Sequence, residues 1–515
     1  MRSPNHCIRL VLVVLLALAV WVLPGSGSLA AEGEPEWNLT IFHTNDMHGA
    51  FLPEPASWRD DRAEVGGVIA LASHLADQRQ STTASLLLDA GDFMTGNPIC
   101  VMAEDNVLGA GFVQMMNAIG YDVGVIGNHE FDNGRDNAWR LPGVAAFPLL
   151  AADILDENGE PEFAHEPVIR ERGGLKIGIM GVSCAGLLAV AAHSHTAGLS
   201  MREQARAVRE MIAELDPATD LLILITHNGV DGDDELAVEL VGSGLDLIVG
   251  GHSHTRLNEP LVVGDILIVQ AGSHIKNLGR LDLRVEDDRV VAHRGELIQL
   301  VAAGATAGPE LTALVSSYQQ RLDEEFGVVI GNLVSDWRRD GGESNIGDWL
   351  TDRIRERCAA DVAFLNSGTI RKNLVAGPIT LLDIHEILPF SNTLVTCELT
   401  GAELTTILTT NAESQAGRGY PRLQVSGLRY GFRQVGDHVE LVDVTVGGEP
   451  LRQDAVYRVG TADYVISMSG RYFGFQVLDV EDVGIGLTDA IVAAVQEAGT
   501  IDAVVDGRIQ APAED

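Results

Sequence analysis

At 515 residues, with 46% hydrophobic side chains and 56 glycines, the chain is too long for one hydrophobic core and too apolar to be disordered, so two folded bodies are expected. Its formal charge of −38, from 73 acidic against 35 basic residues, excludes a broad polyanion-binding face and nucleic acid as a bulk ligand. Lysine occurs only as Lys176, Lys276 and Lys372, so any phosphate group must be met by arginines or metal ions.

Arg2 and Arg9 precede an uncharged apolar run, Leu10–Leu23, and Ser28-Leu29-Ala30 has the small-x-small pattern of a cleavage site. A signal peptide over residues 1–30 is predicted. The run is shorter than the roughly 20 residues a membrane span needs and stops at Pro24-Gly25. No cysteine at the cleavage point could take a lipid, so the mature chain is expected to be periplasmic or secreted, with no membrane anchor. Cys100, Cys184, Cys358 and Cys397 remain in it. An oxidising compartment permits a Cys358–Cys397 bridge, and burial as small apolar side chains serves equally well. None has ligand spacing, which excludes zinc-thiolate chemistry.

Between residues 38 and 305 strand, loop and helix alternate, an α/β pattern. Strands are predicted over Leu39–His43, Ser85–Asp89, Asp122–Ile126, Lys176–Val182, Asp220–Thr226, Leu245–Val249 and Asp265–Val269; their uninterrupted apolar runs imply burial on both faces. Helices are predicted over Val65–Gln80, Val107–Ile119 and Met201–Leu215 from apolar spacings of three and four. Leu278–Val285 and Val290–Val301 read as a hairpin. The helix Pro309–Phe326 has a narrow apolar face and a broad polar one, which predicts a connector over residues 308–327. A second body, mixed in strands and helices, is expected over residues 328–510, with helix Asn345–Arg357 and strand Val362–Leu365 near its start.

The chemistry gathers at strand ends. Asp46-Met47-His48, Gly91-Asp92 just after Asp89, Gly127-Asn128-His129, His227-Asn228-Gly229 and Gly250-Gly251-His252-Ser253-His254 each follow an apolar run. They therefore fall on one edge, where open α/β sheets bind ligands. Asp46 and His48, two residues apart, face one side in extended backbone. Asp89, ending its strand, has two oxygens with which to bridge two cations. The nitrogen and oxygen donors, without sulfur, suit two divalent ions, zinc, manganese or a mixed pair. Four ligands per ion gives one metal from Asp46, His48, Asp89 and His254, and another from Asp89, Asn128, His227 and His252, with a water left to bridge them. His193 and His195, in a loop of small residues, are read as lying outside this site.

These five ordered blocks resemble the calcineurin-like metallophosphoesterases, and with the second body the chain resembles the exported 5'-nucleotidase and UDP-sugar hydrolase family. The resemblance implies a metallophosphoesterase sandwich followed by an α+β 5'-nucleotidase domain. It also implies release of phosphate from nucleoside 5'-monophosphates by a hydroxide bridging the two metals. Nucleotide-sugar or 2',3'-cyclic-nucleotide hydrolysis is the alternative, and a non-catalytic nucleotide- or metal-binding protein a weaker one. The resemblance assigns His129 to the transition-state charge or leaving oxygen, oriented by Asp132. It assigns the nucleotide to Asn366, Arg371, Phe390, Asn392 and Tyr464, with the base held between the rings of Phe390 and Tyr464. Arg338 and Arg339 match the family's arginines ahead of the helix at Asn345. Where the family carries an aspartate for the ribose hydroxyls, this chain reads Ser469-Gly470-Arg471-Tyr472-Phe473, which implies altered sugar contacts. The family also implies rotation of the second domain about the connector helix.

Overall fold

The computed structural model describes residues 36–510 apart from 57, 58, 60, 340 and 437. The leader expected over residues 1–30 lies outside them. Among the described residues no helix is long and apolar enough to cross a membrane.

Alternation along the strands decides the first body. One six-stranded sheet runs in the order Arg289–Gln299, Asn277–Glu286, Leu39–Thr44, Ser85–Asp89, Val123–Val125, Leu149–Leu150. The other runs Val168–Arg172, Leu175–Gly181, Leu221–Ile225, Leu247–Val249, Ile266–Val269, Leu261–Val263. Leu39, Ile41, Leu86, Leu88, Val123 and Val125 meet Ile177, Ile179, Leu221, Ile223, Leu247 and Val249 in one buried layer between the sheets. Each such side chain contributes roughly 1.5–3 kcal/mol by leaving water. Their neighbours, one residue along, face the other way. Phe42 and Leu87 lie under Val68–Arg79 and Ala110–Ile119, while Met180, Leu222 and Leu224 lie under Gln204–Leu215 and Gly229–Leu240. The result is helix, sheet, sheet, helix. The four strands from Leu39 to Leu150 that pair in parallel, and the four from Leu175 to Val269, end at a common rim.

All three helices predicted from apolar spacing begin later than expected, the third at Gln204 because Ser200–Met201 pairs with Ile154–Leu155 as a strand and the Glu203 side chain caps the helix. Gly66 and Gly67 adopt φ of 85° and 82°, which halts helical backbone until Val68. Val107–Leu108 pairs with Ala103–Glu104 as a short hairpin, so the next helix begins at Ala110 after left-handed Gly109. The hairpin joining Asn277–Glu286 to Arg289–Gln299 turns on Asp287 and Asp288, both left-handed, as two-residue turns require.

The second body has its own core, drawn from residues between Leu333 and Ile509. A five-stranded mixed sheet, ordered Leu423–Ser426, Val362–Asn366, Val456–Ala462, Thr393–Thr400, Glu481–Gly486, lies at its centre. Several helix starts there are closed by side chains. Ser344 caps Asn345–Arg357, and Thr400 with Glu403 forms a capping box on Gly401–Arg418. Cys100, Cys184, Cys358 and Cys397 are all buried and free, so the possible Cys358–Cys397 bridge is not made.

The helix Pro309–Phe326 has the expected bounds but is not a free strut between bodies. Leu311, Val315, Tyr318 and Leu322 sink into the first body's core. Its narrow apolar stripe packs chiefly on Ala110–Ile119, whose Gly111 makes room for the Tyr318 ring. A Cβ on Gly111 would stand 2.1 Å from that ring. Gly111→Ala should therefore destabilise the chain by about 1–3 kcal/mol, read as a lower thermal unfolding midpoint, whereas Gly143→Ala, with nothing within 4 Å of its Cβ, should not.

Candidate active site

The rim gathers three groups of side chains whose ligand atoms lie within 4.8 Å of one another: Asp46, His48 and His254; His48, Asp92 and His129; Asp92, His227 and His252. Asp46 and Asp92 are fully buried or nearly so, at 0% and 1% exposure. The strands end before these residues, and loop hydrogen bonds carry the register onward. Asp46 N–H donates to Gly91 O at 2.9 Å and His48 N–H to Asp92 O at 3.0 Å. Asp46, His48, Asp92, His252 and His254 all adopt left-handed backbone, with φ between 50° and 77°. Such conformations in residues with side chains are uncommon and collect where a structure holds groups for use.

Hydrogen bonds set the tautomers. His48 Nδ1 lies 3.1 Å from Met94 O and His227 Nδ1 2.6 Å from Ala90 O. A carbonyl only accepts, so each Nδ1 carries a proton and each Nε2 is the nitrogen that faces the rim. His48 Nε2 and His254 Nε2 face each other at 3.0 Å, where one proton at most can stand between them. His227 Nε2 is 2.9 Å from Asp92 Oδ2 but out of line for a hydrogen bond, and Asn128 Oδ1 is buried with no donor. Lone pairs that point at a common space instead of at partners fit divalent cations. Burial lowers the basicity of His227, but Asp92 and Asp46 outweigh it and raise its pKa to about 10. The same pocket that attracts that proton attracts a metal ion in its place.

The carboxylate at the centre is Asp92, not Asp89. Alternation turns Leu86 and Leu88 into the layer between the sheets and so turns Leu87 and Asp89 outward, beneath the helices. Asp89 accepts from the Thr44 hydroxyl at 2.6 Å and from Gly91 N–H at 3.1 Å, and burial holds its pKa well above the usual carboxylate range. Asp92, past the Ala90-Gly91 turn, belongs to two of the three groups and accepts from His129 N–H at 2.8 Å.

His129 and Asp132 pair as expected, Nδ1 to Oδ2 at 2.6 Å, which leaves His129 Nε2 for the cavity. Burial disfavours the imidazolium, but Asp132 and Asp92 reverse this, and the pKa is raised. Between them in sequence, Glu130 has a part the sequence did not disclose. Fully buried, it accepts Gly127 N–H at 2.6 Å and Asp92 and Met94 N–H at 3.1 Å, so that one carboxylate ties together two ligand loops. His274 was missed too, its ring 5.1 Å from that of His48 and 5.8 Å from that of His254. The strand-end rule that found the other histidines, applied to Ile266–Val269, leads to it.

A cavity of about 620 Å³ opens beside His129 between the two bodies. Asn128, Asp132 and His252 line it from the first, and Asn366, Arg371, Phe390, Asn392 and Tyr464 from the second. Arg371 Nη2 reaches within 3.3 Å of His48 Nε2, and the Phe390 ring lies 5.8 Å from that of His129. Tyr464 donates its hydroxyl to Val190 O at 2.8 Å, and Asn366 lies 3.4 Å from the Tyr472 hydroxyl. Arg338 and Arg339 do not line the cavity. Arg338, 62% exposed, pairs with Asp336, and Arg339 donates to Ile370 O at 2.7 Å, bracing the loop that carries Arg371. The unforeseen wall residues include Arg471, which donates to Ala189 O at 3.3 Å, and His195, expected outside the site.

A double sheet that delivers imidazoles, carboxylates and an amide to one rim defines a calcineurin-like phosphoesterase, and the model of that family matches residues 39–256. The model of the 5'-nucleotidase C-terminal domain matches residues 326–479. The chain belongs to the 5'-nucleotidase family that joins these two domains, and it is a phosphoesterase hydrolase. It is 28% identical to the protein UshA of Yersinia enterocolitica over 87% of this chain and 88% of that one. It is likewise 28% identical to a 5'-nucleotidase of Vibrio parahaemolyticus, over 93% of both. The crystal structure of a 5'-nucleotidase precursor from Thermus thermophilus superposes with a TM-score of 0.81 at 27% identity, over 93% of this chain and all of that one.

Asp92→Asn should strip metal from the purified protein, by elemental analysis, while Asp89→Asn should leave the metal content unchanged. Glu130→Gln sets an amide N–H₂ against backbone donors and should cost about 1–3 kcal/mol of stability and weaken metal retention, measured by thermal unfolding with and without chelator.

Proposed function

We propose that the chain hydrolyses nucleoside 5'-monophosphates at a dinuclear metal centre. One ion would be held by Asp46, His48, Asp92 and His254, the other by Asp92, Asn128, His227 and His252, with Asp92 shared. Zinc, manganese or a mixed pair suits these nitrogen and oxygen donors. Two such cations supply Lewis acidity and water activation to an in-line displacement at phosphorus. The observation that carries the reading is the run of linked ligand groups opening into a cavity that Arg371, Phe390 and Tyr464 close from the other body.

The chain's own residues divide the remaining work. Arg371 meets the phosphate oxygens with a guanidinium that a carboxylate-rich chain supplies sparingly. His129, fixed by Asp132 and held toward the imidazolium, protonates the leaving oxygen. Phe390 and Tyr464 hold the base by stacking, which tolerates any nucleobase and is worth about 1–3 kcal/mol per base. The leader at residues 1–30 would carry the enzyme out of the cytoplasm, to the periplasm or beyond.

Phosphate release from AMP, UDP-glucose and cyclic AMP by metal-stripped protein, refilled singly with zinc, manganese, magnesium or cobalt, tests the reading. AMP is expected to turn over fastest, and activity that survives complete metal removal would end the proposal. Faster turnover of either other substrate would transfer it to nucleotide sugars or cyclic nucleotides. His129→Ala should lower kcat by about 10²-fold or more with both metals retained. Asp132→Asn removes a charge that raises the His129 pKa, so the protonated ring is lost at lower pH. The alkaline limb of the kcat profile should move toward acid accordingly.

A further inference from the structure

In the second body, outside the cavity, the carboxyl-terminal segment returns to the start of helix Asn345–Arg357. There Glu343, Asp348 and Asp506 bring one carboxylate oxygen each within 4.8 Å of one another. Asp348 is 2% exposed, and neither of its oxygens has a hydrogen-bond donor. Arg508 Nε stands 3.7 Å away, but the guanidinium gives its hydrogen bonds to the Asp352 and Asp506 carboxylates and to the backbone oxygens of Asp348 and Val425, none to the Asp348 carboxylate. Glu343 accepts three backbone N–H groups, from Asp506, Gly507 and Ile509, at 3.1, 2.8 and 2.7 Å. With Asp352, four carboxylates meet the two guanidinium groups of Arg508 and Arg429 at this place, so negative charge remains uncompensated.

A buried carboxylate with two bare oxygens needs a proton or a cation. We propose that Glu343, Asp348 and Asp506 hold a Ca²⁺ ion. The donors are all hard oxygens, with no imidazole or thiolate, which separates this site chemically from the rim. Calcium accepts the irregular placement of three carboxylates carried by a loop, a helix and a returning strand segment, and fills its remaining positions with water. The ion ties the segment Asp506–Ile509 to the helix it crosses. Strand Ile509–Gln510, which pairs with Tyr430 and Gly431, is the element it secures.

The test uses the full mature chain with its rim metals saturated by Mn²⁺, dialysed against millimolar CaCl₂. Elemental analysis is expected to find one Ca²⁺ per wild-type chain and none in Asp348→Asn. Calcium should raise the thermal midpoint of the wild type by about 2–4 °C or more and leave that of Asp348→Asn unmoved. Should Asp348→Asn fail to fold, Asp506→Asn, altered at an exposed side chain, should show the same loss of bound calcium. No calcium in the wild type, or equal binding and equal shift in both variants, overturns the proposal. So does stabilisation of the wild type by mild acid with no response to calcium, the mark of a proton shared between Asp348 and Glu343.

Discussion

Lone pairs and negative charges crowd one rim of this protein and face each other rather than partners. His48 and His254 present unprotonated or half-protonated nitrogens to one another, and Asp46 and Asp92 sit buried among them. Left to themselves these groups would part. They are held by the frame: left-handed backbone at five of the residues, loop hydrogen bonds between 46–48 and 91–92, and the Glu130 carboxylate drawing three N–H groups inward. The folding energy that enforces this arrangement comes from the buried apolar layer between the sheets. Hydrophobic burial in the middle of the sandwich thus supports electrostatic strain at its edge.

The second body completes what the first begins. Its Arg371 brings a guanidinium to the rim of the first body, and its Phe390 lies against the His129 imidazole. Side chains cross between the bodies at several places. Tyr464 reaches Val190, Arg471 reaches Ala189, and Asn97 donates to Glu386 at 2.7 Å. Each is a hydrogen bond that joins the two bodies.

Much of this could be read in the sequence, because strand ends and apolar runs are local signals. The parallel strands, the hairpin and the helices at 309–326 and 345–357 stand where the pattern put them, and Asp46, His48, Asn128, His227, His252 and His254 lie together at the rim. The Asp89 assignment failed on a matter of one strand's alternation: the last residue of a strand still belongs to a face, and Asp89 shares that of Leu87. Only residues beyond the strand, freed by Ala90-Gly91, can turn to the rim. Glu130 was illegible because its partners are backbone amides, which leave no trace in side-chain spacing. Arg338 and Arg339 were placed by resemblance alone, and a loosely matched motif does not fix where a flexible side chain goes. His195 and Arg471 reach the cavity only through the approach of two bodies, which no local pattern records.

The rooting of helix Pro309–Phe326 in the first body has a mechanical consequence. Four side chains bolt it down, and strand Val329–Leu333 begins the other body three residues after its end. Whatever opens the cleft must be turned in the short stretch around Gly327 and Val328. With so little chain to twist, any turn of the second body as a unit would have its axis there and would carry Phe390 and Tyr464 together. The rim histidines and carboxylates, all carried by the other body, would keep their places through such a turn.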